Sequence, residues 1–256
     1  MKYIEKQEQP PSLSDYINQK KQEGDYLIVF FALPILIPIF KQKRIYRFIL
    51  QFLEYYQQIR PKYRKYSPKN DLRNTLLQEQ GYICCYCLGT INIDKMSIEH
   101  WLPKTEYKVL ELEYSNLLGS CLGNGPSRRR NKRQHCTASK AEITITINPT
   151  DNNCESLIKY SSSGKIYSDN EKIDRDLRQT LNLNLDKLVD IRRRQITIVE
   201  EIILNDYPNG NYTTDDIQSL IEQLYQYPIL SEDGKYEPYC LTEIGYLKTL
   251  IMDLKS

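Results

Sequence analysis

Cys84-Cys85-Tyr86-Cys87, Ile98-Glu99-His100-Trp101-Leu102-Pro103-Lys104, Asn116-Leu117-Leu118-Gly119-Ser120-Cys121 and His135-Cys136-Thr137-Ala138-Ser139-Lys140 punctuate one stretch between residues 84 and 140. Cys84 and Cys87 have the spacing at which two thiolates hold one tetrahedral ion from a tight turn. Cys121 and Cys136 form a second pair across a longer insertion, which zinc tolerates because its ligands need to converge, not to be adjacent. A redox role for the Cys84/Cys87 pair calls for a strand-helix-strand context that the surrounding sequence lacks. The four cysteines therefore predict a structural Zn2+ site. Cys85 reads as a bystander, and Cys154 and Cys240 as buried apolar thiols.

Inside the cysteine frame lies His100, one of two histidines in 256 residues. Neutral imidazole takes a proton from water near pH 7. The preceding carboxylate, Glu99, suits a hard divalent cation, which neutralises a phosphate and stabilises a leaving oxygen. Asn116 has the chemistry to hydrogen-bond backbone and hold the loop that orients the histidine.

The rest of the chain sets bounds. Hydrophobic residues make up 40% and charged residues 27%, a globular balance, and the net charge of +2 is unevenly spread. Residues 41–73 and 121–140 are strongly basic, while 171–256 is acidic, a polarity that suits a polyanion on one side and a protein partner on another. Seven cysteines and a charged opening without a secretory signal predict a reduced, cytoplasmic chain. Tyr26–Phe40 is uncharged and apolar, but it is shorter than the roughly 20 residues a membrane helix needs, and Pro34 and Pro38 interrupt it. It is expected to be buried core or partner-facing surface, with no membrane span.

Periodicity predicts helices from Ser12 or Ser14, over 45–59, over 71–80 with Gly81 as the stop, from Asp174 through the stripe Leu185, Leu188, Val189, Ile196, Val199 and Ile203, from a Thr213/Asp216 capping box, and over 242–254. Ile143, Ile145 and Ile147 alternate with threonines as in a half-buried strand. Ser161–Gly164 marks a turn. The expected class is α+β: a mostly helical chain enclosing a zinc-stapled core, divided as 1–80, 81–150 and 151–256.

Cys84/Cys87, Glu99-His100, Asn116-Leu117-Leu118, Cys121, Cys136 and Lys140 fall in an order that resembles the HNH, or ββα-metal, endonucleases. Tyr3-Ile4-Glu5-Lys6, Pro10-Pro11-Ser12-Leu13, Glu79-Gln80-Gly81 and Leu181-Asn182-Leu183-Asn184 extend the resemblance to the PtuB-like HNH nucleases of retron and Septu anti-phage systems. The resemblance implies a nuclease that hydrolyses phosphodiesters of DNA, or of RNA such as tRNA. His100 is then the general base, Glu99 the ligand of a catalytic Mg2+ or Mn2+, Asn116 the middle residue of the motif, and Cys84, Cys87, Cys121 and Cys136 the zinc set. It further implies control by a PtuA-like SMC/ABC-type ATPase, with a retron reverse transcriptase and its RNA–DNA product as a further candidate partner. The family usually has His, Asn or Asp after the last cysteine as second metal ligand. Thr137 departs from that pattern, and His135 or water is the candidate substitute. Arg128, Arg129, Arg130, Lys132, Arg133 and Lys140 are expected to contact the phosphate backbone. The alternative is a zinc-ribbon-like nucleic-acid adaptor with a weakened nuclease site.

Overall fold

A short antiparallel hairpin and the turn that precedes it position the cysteines and the histidine. In the computed structural model the described residues are 1–23, 69–123, 133–226, 231 and 233–255. The expected helix over 45–59, the apolar segment 26–40 and the basic residues 128–132 lie outside them. The chain divides into two units, residues 8–72 and residues 1–7 with 73–256.

In the first unit, helix α1 (Pro11–Glu23) starts one residue ahead of Ser12, because proline at the first helical position lacks only an N–H that would have had no partner. Leu13, whose N–H donates to Pro10 O, is fully buried. Helix α2 (Lys69–Glu79) crosses the division in sequence and buries Leu72, Leu76 and Leu77. It ends at Gly81, whose φ of +58° only glycine adopts cheaply. A Cβ there would lie 2.2 Å from the Tyr236 ring, so packing fixes the same choice.

In the second unit, residues 82–91 fold back on themselves. Ile83 bridges Thr90, Cys84 N–H donates to Gly89 O and Leu88 N–H to Cys84 O, which makes the tight turn carrying Cys84 and Cys87. Strand β1 (Met96–His100) then pairs antiparallel with β2 (Leu117–Cys121), with Met96 opposite Cys121 and His100 opposite Leu117. Buried Gln80 staples turn to strand: its side-chain amide donates to Ile83 O and Gly119 O, and its oxygen accepts from Gly119 N–H. Helix α3 (Cys136–Lys140) packs against β2.

The expected strand over 143–147 does not form. Ile145 and Ile147 are buried, but the backbone bonds side chains and not a neighbouring strand: Thr146 N–H donates to Asp176 and Ile147 O accepts from the Trp101 indole. The Ser161–Gly164 turn joins two short strands, β3 (Lys159–Tyr160) and β4 (Ile166–Tyr167). Helix α4 (Glu171–Arg175) runs into a π-helical turn at Asp176–Thr180, before α5 (Asp186–Asp206). Helix α6 (Thr214–Gln226) carries the expected capping box, with Thr213 N–H on Asp216 and Asp216 N–H on the Thr213 hydroxyl. Helix α7 (Thr242–Leu254) closes the chain. Val199, Ile203, Ile217, Ile221, Ile244 and Leu247 from α5, α6 and α7 make one apolar cluster. Among the described residues no helix is long and apolar enough to cross a membrane.

Candidate metal centre and acid-histidine site

The sulfurs of Cys84, Cys87, Cys121 and Cys136 all lie within 4.8 Å of one another. Cys84 Sγ is 3.8 Å from Cys136 Sγ, and Cys87 Sγ 3.9 Å from Cys121 Sγ. Four thiolates about 2.3 Å from a tetrahedral ion have edges near those lengths. The donor set thus fits a metal such as zinc. Against the burial that raises it, hydrogen bonds from Cys121 and Cys136 hold the Cys84 thiol well below its usual range. Hydrogen bonds from the same two neighbours bring Cys87 down to about 7. Burial and the negative thiols beside it push Cys136 up. A divalent cation resolves this conflict by letting all four ionise. Burial keeps the neighbouring Cys85 thiol neutral and apart from the set.

Two features place Cys136. Its N–H donates to Leu181 O, and the Asn182 side chain donates to Gln134 O, so the loop after the π-helical turn clamps this ligand. Gly123 approaches from the other side; a Cβ there would lie 1.9 Å from His135 O. The role of the Leu181–Asn184 loop carries no composition signal of its own.

The hairpin carries Cys121 at one end and Glu99 and His100 toward the other. His100 Nε2 lies 3.0 Å from Glu111 O. A carbonyl accepts only, so Nε2 carries the proton and Nδ1 is the basic nitrogen. Burial is the largest cause holding His100 below its usual range, opposed by the Glu111 carbonyl and assisted by the positive charge of Lys104. Asn116 is 3% exposed and takes Leu102 N–H on its oxygen at 2.8 Å. Its amide donates to Leu102 O and Leu110 O, and its own carbonyl accepts from Trp101 N–H. Asn116 therefore closes the loop 101–116 that follows His100.

Glu99 collects three donors. Lys140 Nζ lies 2.8 Å from Oε1 and 2.9 Å from His100 O, with its side chain fully buried. The Tyr86 phenol, kept protonated by burial and by the Glu99 charge, donates to Oε1, and the Thr137 hydroxyl to Oε2. Lys140, expected at the nucleic acid, is thus placed inside, because a buried carboxylate needs a paired cation. His135, weighed as a second ligand beside Glu99, is placed instead against the thiols, with Nδ1 3.2 Å from Cys136 Sγ and 3.8 Å from Cys121 Sγ. Thr137 is the residue after the last cysteine that reaches Glu99. Among the described residues, the four cysteines are the one group of three or more potential ligands close enough to share an ion. A divalent ion at Glu99 would draw one carboxylate and the Thr137 hydroxyl from the protein and its other donors from water and phosphate, a mix magnesium accepts. Of the expected phosphate contacts in 128–133, Arg133 is described, and it is exposed.

No family model matches this chain. The chain is similar to a retron protein. That relative is described as the candidate HNH endonuclease of retron Vc95 from Vibrio cholerae serotype O1 biovar El Tor, 30% identical over 137 residues. The match covers 50% of this chain and 64% of the relative, so the chain spans less than two thirds of that protein. The likeness supports an HNH endonuclease family.

Proposed function

We propose that the chain is a metal-dependent HNH endonuclease and that residues 81–150 are its ββα-metal core, flanked by helical regions 1–80 and 151–256. The observation that carries this reading is His100, fixed by Glu111 O in the tautomer with Nδ1 basic, one residue from a buried carboxylate that accepts from Thr137, the residue after the thiol Cys136. His100 Nδ1 takes a proton from a water that attacks phosphorus in line, and the bond to the 3′ oxygen breaks. Asn116 holds the loop that sets the imidazole. The four cysteines hold zinc and fix the turn and α3 around Glu99. A bound Mg2+ or Mn2+, held by Glu99, supplies charge neutralisation at the phosphate and the leaving oxygen.

The retron name of the relative favours a retron-associated system with a nucleic-acid substrate. The PtuB-like resemblance implies an anti-phage effector in a reducing cytoplasm, with a PtuA-like SMC/ABC-type ATPase as controller and a retron reverse transcriptase with its RNA–DNA product as a further partner. The donors gathered on Glu99 favour a second reading, an adaptor that binds nucleic acid without cutting it. Purified protein, with and without the ATPase, incubated with DNA and tRNA in Mg2+ or Mn2+ separates the two. Cleavage abolished by His100→Ala, with a loss of about 10²-fold or more, supports the nuclease. Cleavage and phage protection that survive His100→Ala rule it out.

A further inference from the structure

The cavity in front of His100 holds about 260 Å3 and is lined in part by Glu99, His100, Lys104, Thr137 and Glu142. Among the described residues that line it, Lys104 is the only cation. Lys140 is fully buried and bound to Glu99. A phosphodiester entering this cavity meets the carboxylates of Glu99 and Glu142, and only the first has a cation bonded to it. Lys104 is also held in place. Glu106 N–H and Tyr107 N–H both donate to Pro103 O, closing a turn directly at Lys104. The Thr105 hydroxyl donates to Glu142 and the Thr144 hydroxyl to Glu106, pinning that turn to residues 142 and 144.

We infer that Lys104 is a catalytic residue: its ammonium binds a non-bridging oxygen of the scissile phosphate and offsets the charge that builds there as water attacks. Ion pairing of an ammonium with phosphate oxygen needs no further ligand from Thr137, so Lys104 supplies positive charge at a site with a single protein carboxylate for metal. This inference rests on the nuclease reading, and its test is chosen so that the two fail separately.

Binding is measured in full-length His100→Ala protein by anisotropy of a labelled oligonucleotide, single-stranded and duplex, across a salt series. Adding Lys104→Ala is expected to weaken binding about tenfold and to lower the slope of log affinity against log salt by about one, the signature of one lost phosphate contact. Lys108→Ala, an exposed lysine that does not line the cavity, serves as the comparison. In the cleaving protein, Lys104→Ala is expected to lower kcat about 10²-fold, with Lys104→Arg restoring most of it. Unchanged affinity and salt slope in the Lys104→Ala protein overturn the inference. So does an effect matched by Lys108→Ala, or cleavage within threefold of wild type while His100→Ala abolishes it. Cleavage that survives His100→Ala overturns the nuclease reading instead, whatever Lys104 does.

Discussion

At the scale of single residues the site is built from buried polar groups whose partners define their state. Burial and the charge of Lys104 hold His100 below its usual value of about 6.5. The base acts when neutral, so activity is present above the lowered pKa and is lost as pH falls through it. The acid limb of the kcat/KM profile is therefore expected below pH ~6.5, and a midpoint above that value contradicts the placement of the imidazole. Asn116→Ala removes the bonds to Leu102 and Leu110 and leaves buried backbone groups unpaired, at a cost of about 1–3 kcal/mol. It is expected to lower the melting temperature and kcat together, while a bystander role would lower only the first. The sequence already named His100, Asn116 and the four thiols, because each belongs to a type whose chemistry needs such a partner. It did not place Lys140 or His135. A lysine among basic residues looks solvated, and nothing local shows that a carboxylate 41 positions earlier claims its charge.

At the scale of elements, the long helices among the described residues were legible, while the five-residue α3 and the hairpin were not. The stripes of α5 and α6 and the Gly81 stop follow from periodicity and a forced positive φ, both local properties. β1 and β2 are five residues each and buried along most of their length, so no alternation marks them. The isoleucines at 143, 145 and 147 do alternate, yet among the described residues no strand pairs with them. Pairing is a long-range property, and a two-residue period cannot announce it. The turn 82–91 is the element on which the site depends. Cys87→Ser is expected to lose the bound metal and about 3 kcal/mol, lowering the melting temperature by roughly 6–12 °C. Cys85→Ala, in the same turn but outside the thiol set, is expected to keep one metal per chain. Metal content by elemental analysis of both proteins checks this, and equal loss from the two would place Cys85 among the ligands.

At the scale of the molecule, the C-terminal helices reach the metal centre through one buried charge. Arg192 on α5 is 2% exposed and donates to Gly164 O, Leu183 O and the Asn184 side chain. Asn184 in turn bonds both backbone groups of Ile166 on β4. The same loop receives the N–H of Cys136 at Leu181 and holds Gln134 through Asn182. Arg192 therefore joins α5, the β3–β4 hairpin and the clamp on a metal ligand. Leu247, fully buried in the α5–α6–α7 cluster, has no such connection. Replacing Arg192 by Leu strands carbonyls at about 1–3 kcal/mol each, and Leu247→Ala opens a cavity costing about 2–5 kcal/mol, so both proteins melt earlier. They are expected to differ in how they hold metal. At a temperature where both remain folded, the Arg192→Leu protein should release its ion to a competing chelator several-fold faster than wild type, and the Leu247→Ala protein at the wild-type rate. Equal release from the two would mean that metal retention follows global stability alone, and that the 181–184 loop does not act as a local clamp.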